Sequence, residues 1–149
     1  MLARRSLCSL GVSAACVTLA LVASGCQHFD RARECRSISG LVNPVLRVID
    51  AERQRAPDGA PTYRTIAAQY DTLAGALVAL RPQDHRVLDA VQDYQKLARE
   101  AARDARLFAD ALERKNLAEI GAARASASRT AKHEAGALSH IDSVCRVGK

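Results

Sequence analysis

Few groups in this 149-residue chain have the type and spacing to do chemistry. A serine nucleophile needs a Gly-x-Ser-x-Gly elbow, a phosphate site a glycine-rich loop ending in lysine, and a dinucleotide site its three-glycine turn; the sequence contains none of these. The five cysteines, Cys8, Cys16, Cys26, Cys35 and Cys145, lack the paired spacing of zinc ligands. Neither Cys35 nor Cys145 has sequence neighbours that would activate it as a nucleophile. Among the four histidines, His133 and His140 are seven residues apart, which lets them share a helical face. His28, His85 and His140 are the candidate metal ligands, set against the simpler reading of exposed or capping side chains. We therefore expect no catalytic residue, no cofactor and no enzymatic activity.

Composition narrows the classes further. The chain is long enough for one small domain, and 48% hydrophobic residues with one long apolar run exclude a polytopic membrane protein. Five cysteines are too few for a disulfide-dense scaffold of this length, and eight glycines exclude a collagenous repeat. The formal charge is +6. Lys96, Arg99, Arg103 and Arg106, interleaved with Glu100 and Asp104, form a basic stripe, and Arg124, Arg129 and Lys132 form a second. Such stripes are usually solvated helix faces; contact with an anionic envelope surface is the sharper reading. Nucleic acid is not expected as a partner, because no aromatic residues alternate with the basic ones to stack bases.

The N-terminus reads as an address. Arg4 and Arg5 precede an apolar run over residues 7–23, followed by Ser24, Gly25 and Cys26, the layout of a secretory signal peptide. The segment Leu21-Val22-Ala23-Ser24-Gly25-Cys26 resembles the lipobox of bacterial lipoproteins. The resemblance covers residues 1–26 only. It implies that residues 1–25 are removed and that the thiol of Cys26 is acylated. It also implies a lipid-anchored envelope protein held to the membrane through its N-terminus. In an organism with two membranes, Gln27 after the lipidated cysteine implies the outer membrane, facing the periplasm. Two or more acyl chains anchor stably where one does not, since each buried methylene contributes about 0.8 kcal/mol. Arg4-Arg5-Ser6-Leu7 also partly resembles a twin-arginine export signal, although paired arginines are common in ordinary signals. Loss of residues 1–25, which carry two arginines and no acid, leaves a charge of +4.

Beyond this segment the apolar residues recur every three or four positions, the period of an amphipathic helix. A first helix is expected from Cys35 to about Arg55 on Ile38, Val42, Val45 and Ile49, with a kink near Pro44 or a later start. Residues 56–61 form a loop. A second helix carries Tyr63, Ile66, Tyr70, Leu73, Leu77 and Leu80 and stops at Pro82. A third, capped by Asp84, carries Val87, Val91, Tyr94, Ala98, Ala101, Ala105, Phe108 and Leu112. After a tight turn at Lys115 and Asn116, a fourth runs from Leu117 to Cys145, with Ile120, Ala123, Ala127, Ala131, Leu138 and Ile141 on its inner side.

Short connections make neighbouring helices antiparallel, so the expected fold is all-α, an up-down-up-down four-helix bundle over residues 35–149 behind a lipidated tether at 26–34. In that topology the start of the first helix and the end of the fourth share one end. With Cys8 and Cys16 removed and Cys26 acylated, Cys35 and Cys145 remain in an oxidising compartment and are expected to form a terminal disulfide. Closing so long a loop adds about 4–5 kcal/mol in the chain-entropy model.

The expected role is a non-catalytic structural or interaction module. The alternative is a carrier or sensor that binds a metal ion or a small amphiphile between the helices. Two features separate them: a cavity among Tyr63, Tyr70, Tyr94 and Phe108, or histidines converging on one point, would favour the carrier, whereas a filled core would favour the interaction module.

Overall fold

The helical periodicity is realised throughout. A computed structural model describes residues 12–56 and 59–146, with side chains from Asp30 onward. It consists of four helices, α1 (Val12–Arg55), α2 (Ala60–Ala79), α3 (His85–Glu113) and α4 (Leu117–Arg146), and no strand among the described residues. Residues 1–11, and the side chains of Cys26 and His28, lie outside the described residues. The described backbone of α1 continues through residues 26–34, the segment read as a tether.

Local chemistry sets the boundaries. Gly59 caps α2 in an extended conformation and a proline follows in the first turn, where its missing N–H costs nothing. The α2 chain leaves the helix at Leu80, two residues before Pro82. Asp84 caps α3, its Oδ1 accepting the Arg86 backbone N–H at 2.9 Å. Beyond α3, Lys115 adopts φ 53°, and its N–H and that of Asn116 donate to the carbonyls of Leu112 and Ala111, closing the last turn. Asn116 Oδ1 then accepts the backbone N–H groups of Ala118 and Glu119 and starts α4.

Of the two outcomes expected at Pro44, a later start of the helix is not seen. Pro44 lies inside α1 with an exposed side chain. The position is a tolerant one because the ring faces solvent and displaces no core side chain.

The core forms two buried clusters. The larger joins Cys35, Ile38 and Val42 of α1, Leu73 and Leu77 of α2, Val87, Val91, Tyr94 and Leu97 of α3, and Ile141 and Val144 of α4. Here a disulfide joins Cys35 to Cys145, with their Cα atoms 5.8 Å apart. The smaller cluster joins Ile49, Ile66, Ala67, Tyr70 and Ala74 to Ala98, Ala102 and Ala105, and α4 contributes nothing to it. Helix α3 packs along both α2 and α4, while α1 packs chiefly on α2.

Candidate functional site

Where α4 presents alanines to the other helices, a cavity of about 120 Å³ opens. Its wall combines Arg53 from the last turn of α1 with Tyr63, Ile66 and Tyr70 from α2. Helix α3 supplies Ala101, Asp104, Ala105 and Phe108, and α4 supplies Arg124, Ala127, Thr130, Ala131 and Glu134. Alanine is the reason for the space. Ala127 and Ala131 were expected to fill the inner side of α4, but both are exposed and border the cavity, because one methyl group cannot reach across to α1 and α2.

Three of the four aromatic residues singled out from the sequence line this cavity. Tyr63 and Phe108 meet edge to face with ring centroids 4.5 Å apart, and the Arg124 guanidinium lies 6.0 Å from the Phe108 ring centre. Tyr70 is buried, and its hydroxyl donates to Glu134, at 2.9 Å from Oε2 and 3.1 Å from Oε1. Tyr94, the fourth, is fully buried, and its hydroxyl reaches the same carboxylate, donating to Oε1 at 3.0 Å. Burial, and then the negative charge of Glu134, push both phenols well above the usual tyrosine range. The positive charge of Arg53 acts in the opposite sense on Tyr70.

A second carboxylate faces inward. Asp104 was expected among the outward charges of the α3 stripe, yet it is only 3% exposed. Its Oδ2 accepts the Thr130 hydroxyl at 2.7 Å and its Oδ1 accepts the Ser126 hydroxyl at 3.1 Å. The signal was present in the spacing: Leu97, Ala101, Asp104 and Phe108 recur at intervals of four, three and four, which places the acid on the seam. Glu134 follows the same rule, four residues after Thr130 and four before Leu138. Neither Asp104 nor Glu134 forms an ion pair among the described residues; both are held by neutral hydroxyl donors. The rest of the basic stripe, Lys96, Arg99, Arg103 and Arg106, is exposed.

Of the candidate metal ligands, the side chain of His28 lies outside the described residues. His85 and His140 are both exposed, and among the described residues no group of three or more His, Cys, Asp and Glu side chains has the arrangement to hold a metal ion. His85 borders a different, wider pocket of about 360 Å³, with Asp30, Arg31, Glu34, Gln83, Asp84 and Arg86. In that pocket Arg31 Nε donates to Asp84 at 2.6 Å and the Gln83 backbone N–H donates to Glu34 Oε1 at 2.6 Å, while Glu34 Oε2 is buried without a hydrogen-bond partner among the described residues. Among the described residues no helix is long and apolar enough to cross a membrane. Comparison with protein-family models, curated proteins and solved structures finds no match to this chain.

Proposed function

We propose that this chain is a bacterial envelope lipoprotein, acylated on Cys26, whose up-down-up-down antiparallel four-helix bundle is a non-catalytic binding module for a small amphiphile. The larger cluster supports the antiparallel order, since it gathers the part of α1 around Cys35, the end of α2, the start of α3 and the end of α4. The observation that carries the binding role is the cavity walled by Tyr63, Tyr70 and Phe108 together with the alanines of α3 and α4. An interaction module without a ligand has no use for an opening there, and close packing would fill it. Its volume suits a molecule, or the end of one, with roughly the bulk of a benzene ring, by comparison with apolar cavities of known occupancy. Residues 1–25 are the export signal, and the first turns of the mature chain tether the bundle to the membrane, the outer one where two exist. The exposed Arg99 and Arg103 supply a secondary contact with anionic headgroups or polymers.

Two measurements test this reading. Metabolic labelling with a palmitate analogue should mark the wild-type chain and not Cys26→Ser; equal labelling removes the anchor. Full-length protein extracted from membranes should release a small amphiphile in near-stoichiometric amount, and Ala131→Leu, which fills the cavity, should release much less. Equal or negligible release from both proteins removes the binding role.

A further inference from the structure

The cavity is not merely apolar. Two carboxylates, Asp104 from α3 and Glu134 from α4, stand in its wall beside three aromatic rings. Buried charge is costly unless a partner of opposite sign offsets it, and the usual partner is an arginine or lysine. Here the donors are four neutral hydroxyls, from Tyr70, Tyr94, Ser126 and Thr130. They satisfy hydrogen bonding, but none of these donors carries a positive charge. Carboxylate oxygens accept more than one bond each, so both groups retain capacity for another donor.

Among the described residues the two cations of the wall form no ion pair with either carboxylate. Arg53 is exposed, lies 3.7 Å from Asp50 on its own helix and also reaches the Tyr70 hydroxyl, and Arg124 is exposed and rests over Phe108. Both are solvated at the rim, where water screens them, whereas Asp104 lies inside. Aromatic faces and acids together form the environment that recognises organic cations: the ring quadrupoles attract the positive charge, the carboxylate neutralises it, and the apolar walls hold the body.

We infer that the ligand of this cavity is a small organic cation, an amine or quaternary ammonium with an apolar body, whose charged nitrogen is held by Asp104 and Glu134 and whose body lies against Tyr63 and Phe108. This rests on the binding role proposed above and names its ligand class.

Three probes of nearly equal size separate charge from shape: benzylammonium, benzyl alcohol and benzoate. Each is titrated into the full-length chain in detergent, with alanine ¹³C-methyl resonances followed by NMR. Ala101, Ala105, Ala127 and Ala131 report from the wall, so partition into the micelle is not mistaken for binding. The expected result is saturable shifts at these methyls, with benzylammonium binding about tenfold more tightly than benzyl alcohol and benzoate weakest. Glu134→Gln, which keeps an acceptor for both tyrosine hydroxyls, should reduce the benzylammonium preference about tenfold and leave benzyl alcohol unchanged. Equal affinity for all three, or a preference for benzoate, overturns the cation assignment while leaving a binding cavity in place. No saturable shift with any probe overturns the binding role itself. Persistence of the preference in both Glu134→Gln and Asp104→Asn overturns the assignment of the carboxylates.

Discussion

The two ends of the bundle solve the same packing problem with different side chains. Around Cys35 and Cys145 the four helices contribute Ile, Leu, Val and Tyr to one cluster, and a covalent bond ties α1 to α4. Toward the α3–α4 turn the smaller cluster has only Ile49, Ile66 and Tyr70 as large side chains beside alanines, α4 buries Ala123 alone, and among the described residues α1 and α4 are joined by no ion pair or hydrogen bond. Beside the hydroxyl–carboxylate hydrogen bonds of Asp104 and Glu134, the ties there are exposed ion pairs between neighbours in sequence order: Arg64 with Asp110 and Glu113, Arg106 with Asp71, and Arg114 with Glu119. Pairs of that kind contribute about 0–1 kcal/mol each. One end is therefore closed by volume and covalency, and the other stays open because its residues are too small to close it. A binding cavity needs the second arrangement, and it remains folded because the first exists.

The largest effect should come from cutting the covalent tie. Cys35→Ser/Cys145→Ser frees a loop spanning 110 positions, and the full-length chain should lose about 4–5 kcal/mol against urea in the chain-entropy model. A midpoint unchanged from the oxidised protein would mean that the cystine is not what secures this end. Next in size is the contrast between filled and unfilled cores. Leu77→Ala, at a side chain 1% exposed in the larger cluster, should cost about 3 kcal/mol, within the range for buried leucines. Ala131→Leu at the cavity should cost less than about 1 kcal/mol, since the added methylenes enter existing space. Similar losses at both sites, read from paired denaturant curves, would show that the ends do not differ in packing.

Much of this architecture is legible in the residue pattern, and the limits of that reading are physical. The three–four spacing marks all four helices, and Gly59, Pro82, Asp84 and Asn116 mark their ends, because capping is local chemistry. The meeting of Cys35 and Cys145 follows from chain order alone. Asp104 was read outward because charge normally implies solvent; that it lies on the seam is visible only when spacing is given precedence over polarity. Glu134 required knowing that two tyrosines from α2 and α3 converge on it, a fact of tertiary placement. The cavity was foreseeable only in part: the alanine-rich face of α4 indicates limited burial, but not where the opening falls.

The hydroxyl–carboxylate contacts sharpen the contrast, since they are what α4 offers the open end in place of bulk. Thr130→Val keeps the shape and removes the donor to Asp104 at 2.7 Å, leaving a buried oxygen short of a partner. The expected loss is about 1–2 kcal/mol in urea denaturation, and no loss would mean that water replaces the hydroxyl freely. At the alkaline limit the same end should fail first. The phenols of Tyr70 and Tyr94 are raised above their unfolded range near pH 10, so the unfolded chain gives up protons that the folded one retains. Stability from these groups is intact below about pH 10 and declines above it. Tyrosinate absorbance for both should therefore appear with unfolding, and Glu134→Gln should let it appear at lower pH.

The smallest effect belongs to the closed end and concerns its polar latch. Burial raises the Asp84 carboxyl, but the hydrogen bonds from Arg31 and from the Arg86 backbone N–H outweigh it, and the group stays below the usual carboxylate range. A depressed folded value means that the stabilisation is present above the unfolded range near pH 4 and is lost as pH falls through the folded value. Asp84→Ala removes both the α3 cap and the partner of Arg31, and should cost about 1 kcal/mol at neutral pH. Asp84→Asn keeps a capping oxygen but no charge, so it should lose less at neutral pH and show a flatter acid limb than wild type. Thermal midpoints of the three proteins between pH 7 and pH 3 should converge on the acid side. If the gap between wild type and Asp84→Asn persisted at pH 3, the carboxylate charge would not be the source of the latch, and the closed end would owe its stability to packing and the disulfide alone.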